Sequence, residues 1–220
     1  AASPAEPQRA MVGDTPMVRE TRARLDATGL EVLDIEVLRL RPETLVARDL
    51  LPAIETGAWL GAKHALVVGN DPDESRLADR YAELCDLAAR YGVSPGLEFM
   101  SFSDVTSLAQ AGRVVERAGR ANAGIVVDAY HVSRTGCRLS DLARIPPSRF
   151  RYLQLCDAPA AIPPTVEATL AEARSERRFP GEGELDLVSL VRAMPPDIPI
   201  ALEVPTLALA KTVGAVERAR

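Results

Sequence analysis

GIVVDAYH, residues 124–131, is a short apolar run closed by a carboxylate, Asp128, and its reading decides the fold. Ile125, Val126 and Val127 leave no polar position for a solvent face, as in a strand buried on both sides within a parallel sheet. Three further runs have the same form. GLEFM (96–100) carries Glu98, RYLQLCD (151–157) carries Gln154, and PIALEVP (199–205) carries Glu203. In a closed barrel of parallel strands the side chains at the C-terminal rim converge on one point. Three carboxylates and an amide oxygen meeting there would form an oxygen-rich cage suited to a hard divalent metal.

The flanking sequence alternates helix-like and strand-like segments. A helix is predicted at Met17–Thr28, stopped by Gly29, followed by a strand at Leu30–Leu38. A helix at Leu51–Leu60, with Pro52 in its first turn, leads to a strand at Ala65–Val68. Leu77, Tyr81, Leu84, Cys85 and Ala88 then recur at helical spacing. After the strand ending at Glu98 come a helix at Leu108–Ala118, the strand ending at Asp128, a short helix at Leu139–Ile145 and the strand ending near Gln154. A helix at Thr165–Ser175, the loop ERRFPGEGELDL (176–187), a helix at Leu187–Met194, a strand at Ile200–Val204 and a helix running to Arg220 complete the chain. Glu98 and Asp128 are 30 positions apart and Asp128 and Gln154 are 26 apart, each about one βα repeat, while the polar loop lengthens the last interval. This is the pattern of a (β/α)8 TIM barrel. Six strands are legible where closure takes eight, so the first strand, first helix and second strand are expected to be missing from this chain. The expected layout is an N-terminal loop or disordered segment over residues 1–16 and one barrel domain over 17–220. An uncovered strand edge would favour a homo-oligomer. No GxGxxG follows a strand, which disfavours a dinucleotide-binding sheet.

Composition narrows the functional class. A formal charge of −5 without a basic run speaks against nucleic acid, whose phosphates require clustered Lys and Arg. The apolar runs are too short to cross a bilayer and no charged leader precedes an apolar segment, so neither a membrane partner nor export is expected. Cys85, Cys137 and Cys156 are odd in number and unevenly spaced, matching neither a disulfide framework nor a zinc knuckle. A cytoplasmic protein with reduced thiols is the expectation.

LEFM, VVDAYH, YLQLCD, RRFPGEGELDL and ALEVP, taken in order, resemble the corresponding blocks of the xylose isomerase-like TIM barrel superfamily, the sugar phosphate isomerase/epimerase group. The resemblance covers about Met17 to Arg220. It implies one divalent metal ion, Mn or Mg, bound through Glu98, Asp128, Gln154 and Glu203. The position of Gln154 is often His in that group, and Gln there is similar to the dehydroshikimate dehydratases. The implied substrate is a small sugar or related hydroxy-ketone, and the implied reaction is isomerisation or epimerisation through an enediolate. Glu98 and Glu203 would give and take the proton from opposite sides, while Asp128 and Gln154 only ligate. The resemblance also places a substrate-contacting guanidinium at Arg177. His131, three residues past Asp128, is positioned to hydrogen-bond a substrate oxygen or act as a base.

Each assignment has a plainer rival. A lone carboxylate at a strand end commonly faces a loop or caps a helix. Arg177 and its neighbour Arg178 could both be solvated loop residues. His64, at the opposite rim, reads as structural and Trp59 as a packing residue. Asp157 could orient a site residue or cap a helix, Glu36 could reach the rim or be a surface charge, and Cys156 reads as pocket wall. A lyase of the dehydroshikimate dehydratase type is the alternative function, favoured by Gln154 and His131. Met100 weakens it, because those dehydratases tend to carry a further His soon after the first Glu. A non-catalytic ligand-binding barrel is the third reading.

Overall fold

The computed structural model describes residues 9–218. Thr15 caps the first helix, α1 (Pro16–Thr28), by accepting from the backbone N–H of Val18, and Gly29 ends it in the left-handed conformation that its missing Cβ permits. There follow β1 (Asp34–Leu40), α2 (Val46–Asp49), α3 (Leu51–Leu60), β2 (His64–Gly69), α4 (Glu74–Ala89), β3 (Ser94–Glu98), α5 (Leu108–Ala118) and β4 (Gly124–Asp128). The remainder is α6 (Ala129–Arg134), α7 (Leu139–Leu142), β5 (Phe150–Leu155), α8 (Val166–Ser175), α9 (Leu187–Ala193), β6 (Ile200–Leu202), α10 (Leu207–Thr212) and α11 (Ala215–Arg218). The six strands are parallel and their order in the sheet, β1 to β6, follows the chain, forming a curled half-barrel of the TIM type. Among the described residues no helix is long and apolar enough to cross a membrane.

Most predicted elements agree with these bounds, and the departures have local causes. The first strand begins at Asp34, four residues later than expected, because Leu30 is exposed beyond the Gly29 turn. The C-terminal helix breaks at Val213–Gly214 into α10 and α11, and its last two residues lie outside those described. Residues 9–15 carry no helix or strand, while residues 1–8 of the expected N-terminal loop lie outside the described residues. Helix α6 was not anticipated; it starts directly after β4, where no loop separates strand from helix. Trp59 is half exposed on α3 rather than packed within it.

Two apolar layers follow from the two faces of the sheet. The larger core lies between sheet and helices and contains the predicted α4 stripe, with Leu77, Tyr81, Leu84, Cys85 and Ala88 all fully buried. The concave face carries Leu66, Val68, Met100, Val126 and Tyr152. Strand alternation puts Glu98, Asp128, Gln154 and Glu203 on that concave face, two residues beyond Gly96, Val126, Tyr152 and Ala201. Gly96 is needed there, because a Cβ would stand 2.6 Å from Val126 Cγ2. His64 starts β2 with its ring tilted against Tyr152 at 5.8 Å, a packing position at the far end from the cage.

Candidate metal centre and proton-transfer site

Strand register sets the four side chains at one height. Asp128 pairs with Gln154, whereas Glu98 pairs with Val126 and Gln154 with Ala201, so Asp128 and Glu203 each sit two residues beyond a neighbour's partner. That stagger compensates for the tilt of strands in a barrel. Glu98, Asp128 and Glu203 each present an oxygen within 4.8 Å of the others, and among the described residues no other His, Cys, Asp or Glu group does so. Glu98, Asp128 and Gln154 are buried, while the Glu203 side chain keeps 31% of its exposure at the open end.

Arg177 lies in the same cluster. Its Nη1 donates to Asp128 Oδ2 at 2.8 Å and approaches Glu203 Oε2 at 3.3 Å, with Cys156 Sγ 3.6 Å away. Its Nε donates to the Ala173 carbonyl on α8, which aims the guanidinium inward. Arg178 instead points out to the Glu182 carbonyl, so of the two loop arginines it is Arg177 that reaches the carboxylates. Cys156 forms wall beside Arg177, and burial pushes its thiol up to about 12, far from a reactive thiolate. Asp157 neither orients a site residue nor caps a helix. It accepts from the backbone N–H groups of Ala158, Gly181 and Leu185, clamping the PGEG loop onto the end of β5. Gly183 allows that approach, since a Cβ would collide with the Asp157 carboxylate.

His131 sits in the first turn of α6, which Asp128 caps through Oδ1 and the His131 N–H at 3.0 Å. Its Nε2 is 3.7 Å from Glu98 Oε1, and Phe102 and Tyr130 meet the ring edge-on. Burial depresses the imidazole to about 4, with Asp128 opposing the fall and Arg177 adding to it, so the ring is neutral near pH 7. The sequence reading missed what supports this arrangement. The Tyr130 ring lies between Arg134 and Arg177, whose guanidinium carbons are 4.8 and 4.9 Å from its centroid. Its hydroxyl is 2.8 Å from Glu172, which also accepts from Arg134 Nε at 2.9 Å. The i, i+4 spacing of Tyr130 and Arg134 was the available signal, legible only once α6 is known to be a helix.

The electrostatics divide the carboxylates. Burial pushes Glu98 well above the ordinary carboxylate range, and the charges of Asp128 and Glu203 push it further. Burial also lifts Glu203 to about 7, Arg177 opposing and Asp128 reinforcing. For Asp128 burial acts upward too, but Arg177, His131 and the α6 N–H together outweigh it and hold the carboxyl low. Glu36 on β1 joins the group, raised to about 8 by burial of its carboxyl and then by the charges of Glu203 and Asp34, although the residue taken whole is exposed.

A divalent metal fits this donor set. Glu98 Oε1 and Gln154 Oε1 are buried and accept no hydrogen bond, an arrangement costing roughly 1–3 kcal/mol per group unless something satisfies it. Both Asp128 oxygens are engaged, yet a carboxylate oxygen has lone pairs to share with a further partner. All four donors are oxygens, the preference of Mg and Mn.

A family model described as xylose isomerase-like TIM barrel matches residues 2–215. The chain belongs to that family. Among similar proteins, a 3-dehydroshikimate dehydratase of Pseudomonas aeruginosa is 30% identical over 116 residues, covering 52% of this chain and 18% of the dehydratase. An inosose isomerase of Halalkalibacterium halodurans is 32% identical over 108 residues, covering 48% of this chain and 36% of the isomerase. These matches span well under two thirds of either relative. A solved structure of the IolI protein with a bound zinc atom superposes with a TM-score of 0.73 at 19% identity, covering 90% of this chain and 76% of that one.

The pKa pattern gives the metal-free xylose isomerase-like barrel a defined pH response. Raised carboxyl values in Glu36 and Glu203 mean that the folded state holds protons the unfolded chain releases, so their contribution to stability is lost as pH rises through about 8 and about 7. His131 works oppositely, but its contribution is complete above the ordinary histidine value of 6.5. Between pH 6.5 and 8.5 the carboxylates act alone. The melting temperature of chelator-treated protein is expected to fall across that interval, and added manganese is expected to raise it more at pH 8.5 than at 6.5. A flat profile in scanning calorimetry would contradict the carboxylate assignments.

Proposed function

We propose that this chain supplies the catalytic face of a divalent-metal-dependent isomerase or epimerase acting on a small polyhydroxylated ketone. The observation that carries the reading is the convergence of Glu98, Asp128 and Glu203 beside an unpartnered Gln154 Oε1 on one concave rim. Glu98, Asp128, Gln154 and Glu203 would hold the metal, with Mn or Mg matching the all-oxygen donors. Bound there, it would supply Lewis acidity, making the C–H beside a carbonyl more acidic.

The remaining work falls to the chain. Glu98 and Glu203 have carboxyl groups whose proton affinities are raised toward the working range of a general acid or base, and they serve as the pair that removes and returns the proton. Arg177 donates N–H groups to a substrate oxygen and stabilises negative charge developing there. Neutral His131, beside Glu98, presents a hydrogen bond to a neighbouring hydroxyl. The buried face of Phe102, Met100 and Val68 keeps water from the reacting carbon.

A dehydratase of the 3-dehydroshikimate type is the second reading, favoured by Gln154 and by the placement of His131 against Glu98. Both reactions begin with removal of a proton next to a carbonyl and diverge at the next step. Manganese-loaded protein incubated in deuterated water with ketoses, inososes and 3-dehydroshikimate is expected to place deuterium on one carbon of recovered sugar without new ultraviolet absorbance. Accumulation of a conjugated, absorbing product that is lost in His131→Ala would overturn the isomerase reading in favour of the dehydratase. No turnover of any of them would leave a ligand-binding barrel.

A further inference from the structure

An amide ligand has two ends of opposite polarity. Only its oxygen can meet a cation, and turned over it presents two N–H donors instead. In this chain Gln154 Nε2 donates to Glu36 Oε1 at 2.9 Å, across the concave face from β5 to β1. The other end, Oε1, is buried and without a partner. Glu36 reaches that position because the pairing of β1 with β2 slips between Ile35 and Leu38, a bulge that re-aims the intervening side chains.

We propose that Glu36 is a positioning residue that holds the amide of Gln154 with its nitrogen toward β1 and its oxygen free for a divalent cation. A divalent cation held beside Gln154 favours the ionised form of a neighbouring carboxyl, and an ionised Glu36 has only acceptors, so beside a bound cation it tolerates only the NH2 end of the amide. The logic is that of a carboxylate orienting a metal-bound imidazole through its far nitrogen, transferred to an amide. Glu36 thereby keeps the amide oxygen turned to the cation, where the same side chain turned over would have presented N–H groups that repel it. The inference rests on the metal reading of the site, and its test separates the two.

The test is manganese titration calorimetry on the metal-free chain in four forms: unaltered, Glu36→Gln, Gln154→Ala and the double variant. A Gln at position 36 accepts or donates with equal ease and no longer dictates the amide. Glu36→Gln is expected to weaken manganese binding by about tenfold or more when Gln154 is present. In the Gln154→Ala background the same change is expected to cost less than about twofold, because the group it acts through is gone. Equal losses in both backgrounds would mean that Glu36 is only a nearby negative charge and would overturn the proposal, as would no loss in either. If Glu36→Gln does not fold, Glu36→Asp, which keeps the acceptor but cannot span the same gap, is compared in the two backgrounds by the same criterion. Absence of manganese binding by the unaltered chain would overturn the metal reading itself, and the positioning role with it.

Discussion

Asp128→Asn is expected to remove tight divalent-metal binding while leaving the barrel folded. The change is isosteric, so the side-chain oxygen that caps α6 at the His131 N–H is retained, while the charge and the acceptor for Arg177 Nη1 are lost, an NH2 group taking the place of Oδ2. Loss of a mere outer partner of a metal ligand costs about 10–100-fold in affinity, and loss of a ligand's charge lies at or beyond the top of that range. Asp128→Ala is a harsher change. It strips the cap, worth about 1 kcal/mol, and leaves the buried Arg177 guanidinium with Glu203 as its remaining carboxylate. Breaking a buried pair costs about 3–5 kcal/mol and falls on both variants, so the alanine variant is expected to melt below the asparagine variant by the further loss of the cap. Elemental analysis and calorimetry give metal content and affinity, and circular dichroism gives the melting temperatures. Unchanged affinity in Asp128→Asn would remove Asp128 from the metal centre.

The second large effect is expected at Glu172, a residue outside the cage. Its carboxylate is the anion for Arg134, whose side chain has no exposed surface, and also an acceptor for the Tyr130 hydroxyl. Glu172→Met leaves a buried guanidinium without its carboxylate and is expected to cost about 3–5 kcal/mol. In a chain of this size that corresponds to a drop in melting temperature of about ten degrees. Because Arg177 stacks on the same Tyr130 ring, the substitution is also expected to loosen the guanidinium in the cage. A melting temperature within two degrees of the unaltered protein would show that the network contributes little.

The contrast between these predictions marks what was legible in the sequence. Glu98, Asp128, Gln154 and Glu203 stand out because parallel strands are buried on both faces, and a polar side chain closing an apolar run is conspicuous. The α4 stripe was equally clear, since five buried residues recur at helical spacing. Tyr130, Arg134 and Glu172 had no such background. They lie in α6 and α8, where charged and aromatic residues are ordinary, and their meaning comes from contacts 38 and 42 positions apart in the chain. Glu36 falls between these cases. Its place at the rim was one of two readings, and only the slip in the β1–β2 register shows why its carboxylate turns toward Gln154. Asp157 was read for a site role or a cap. Its actual work, accepting the backbone N–H groups of Gly181 and Leu185 so that the loop between them is held against β5, depends on a loop conformation that spacing cannot convey.

The two hydrogen bonds that cross the concave face, Tyr152 to Asp34 and Gln154 to Glu36, each join residues 118 positions apart. Every strand otherwise pairs with its neighbour in the chain, so the sheet can grow one βα unit at a time from contacts of short span. Ring closure over the longest span carries the largest entropic cost and is rewarded only after the intervening strands are in place. Assembly of the polar rim is therefore a late event in the folding of this chain. Substitutions at Asp34 or Glu36 would then hasten unfolding more than they slow folding, which gives the chemistry-bearing end of the barrel a shorter kinetic lifetime than the helical shell around it.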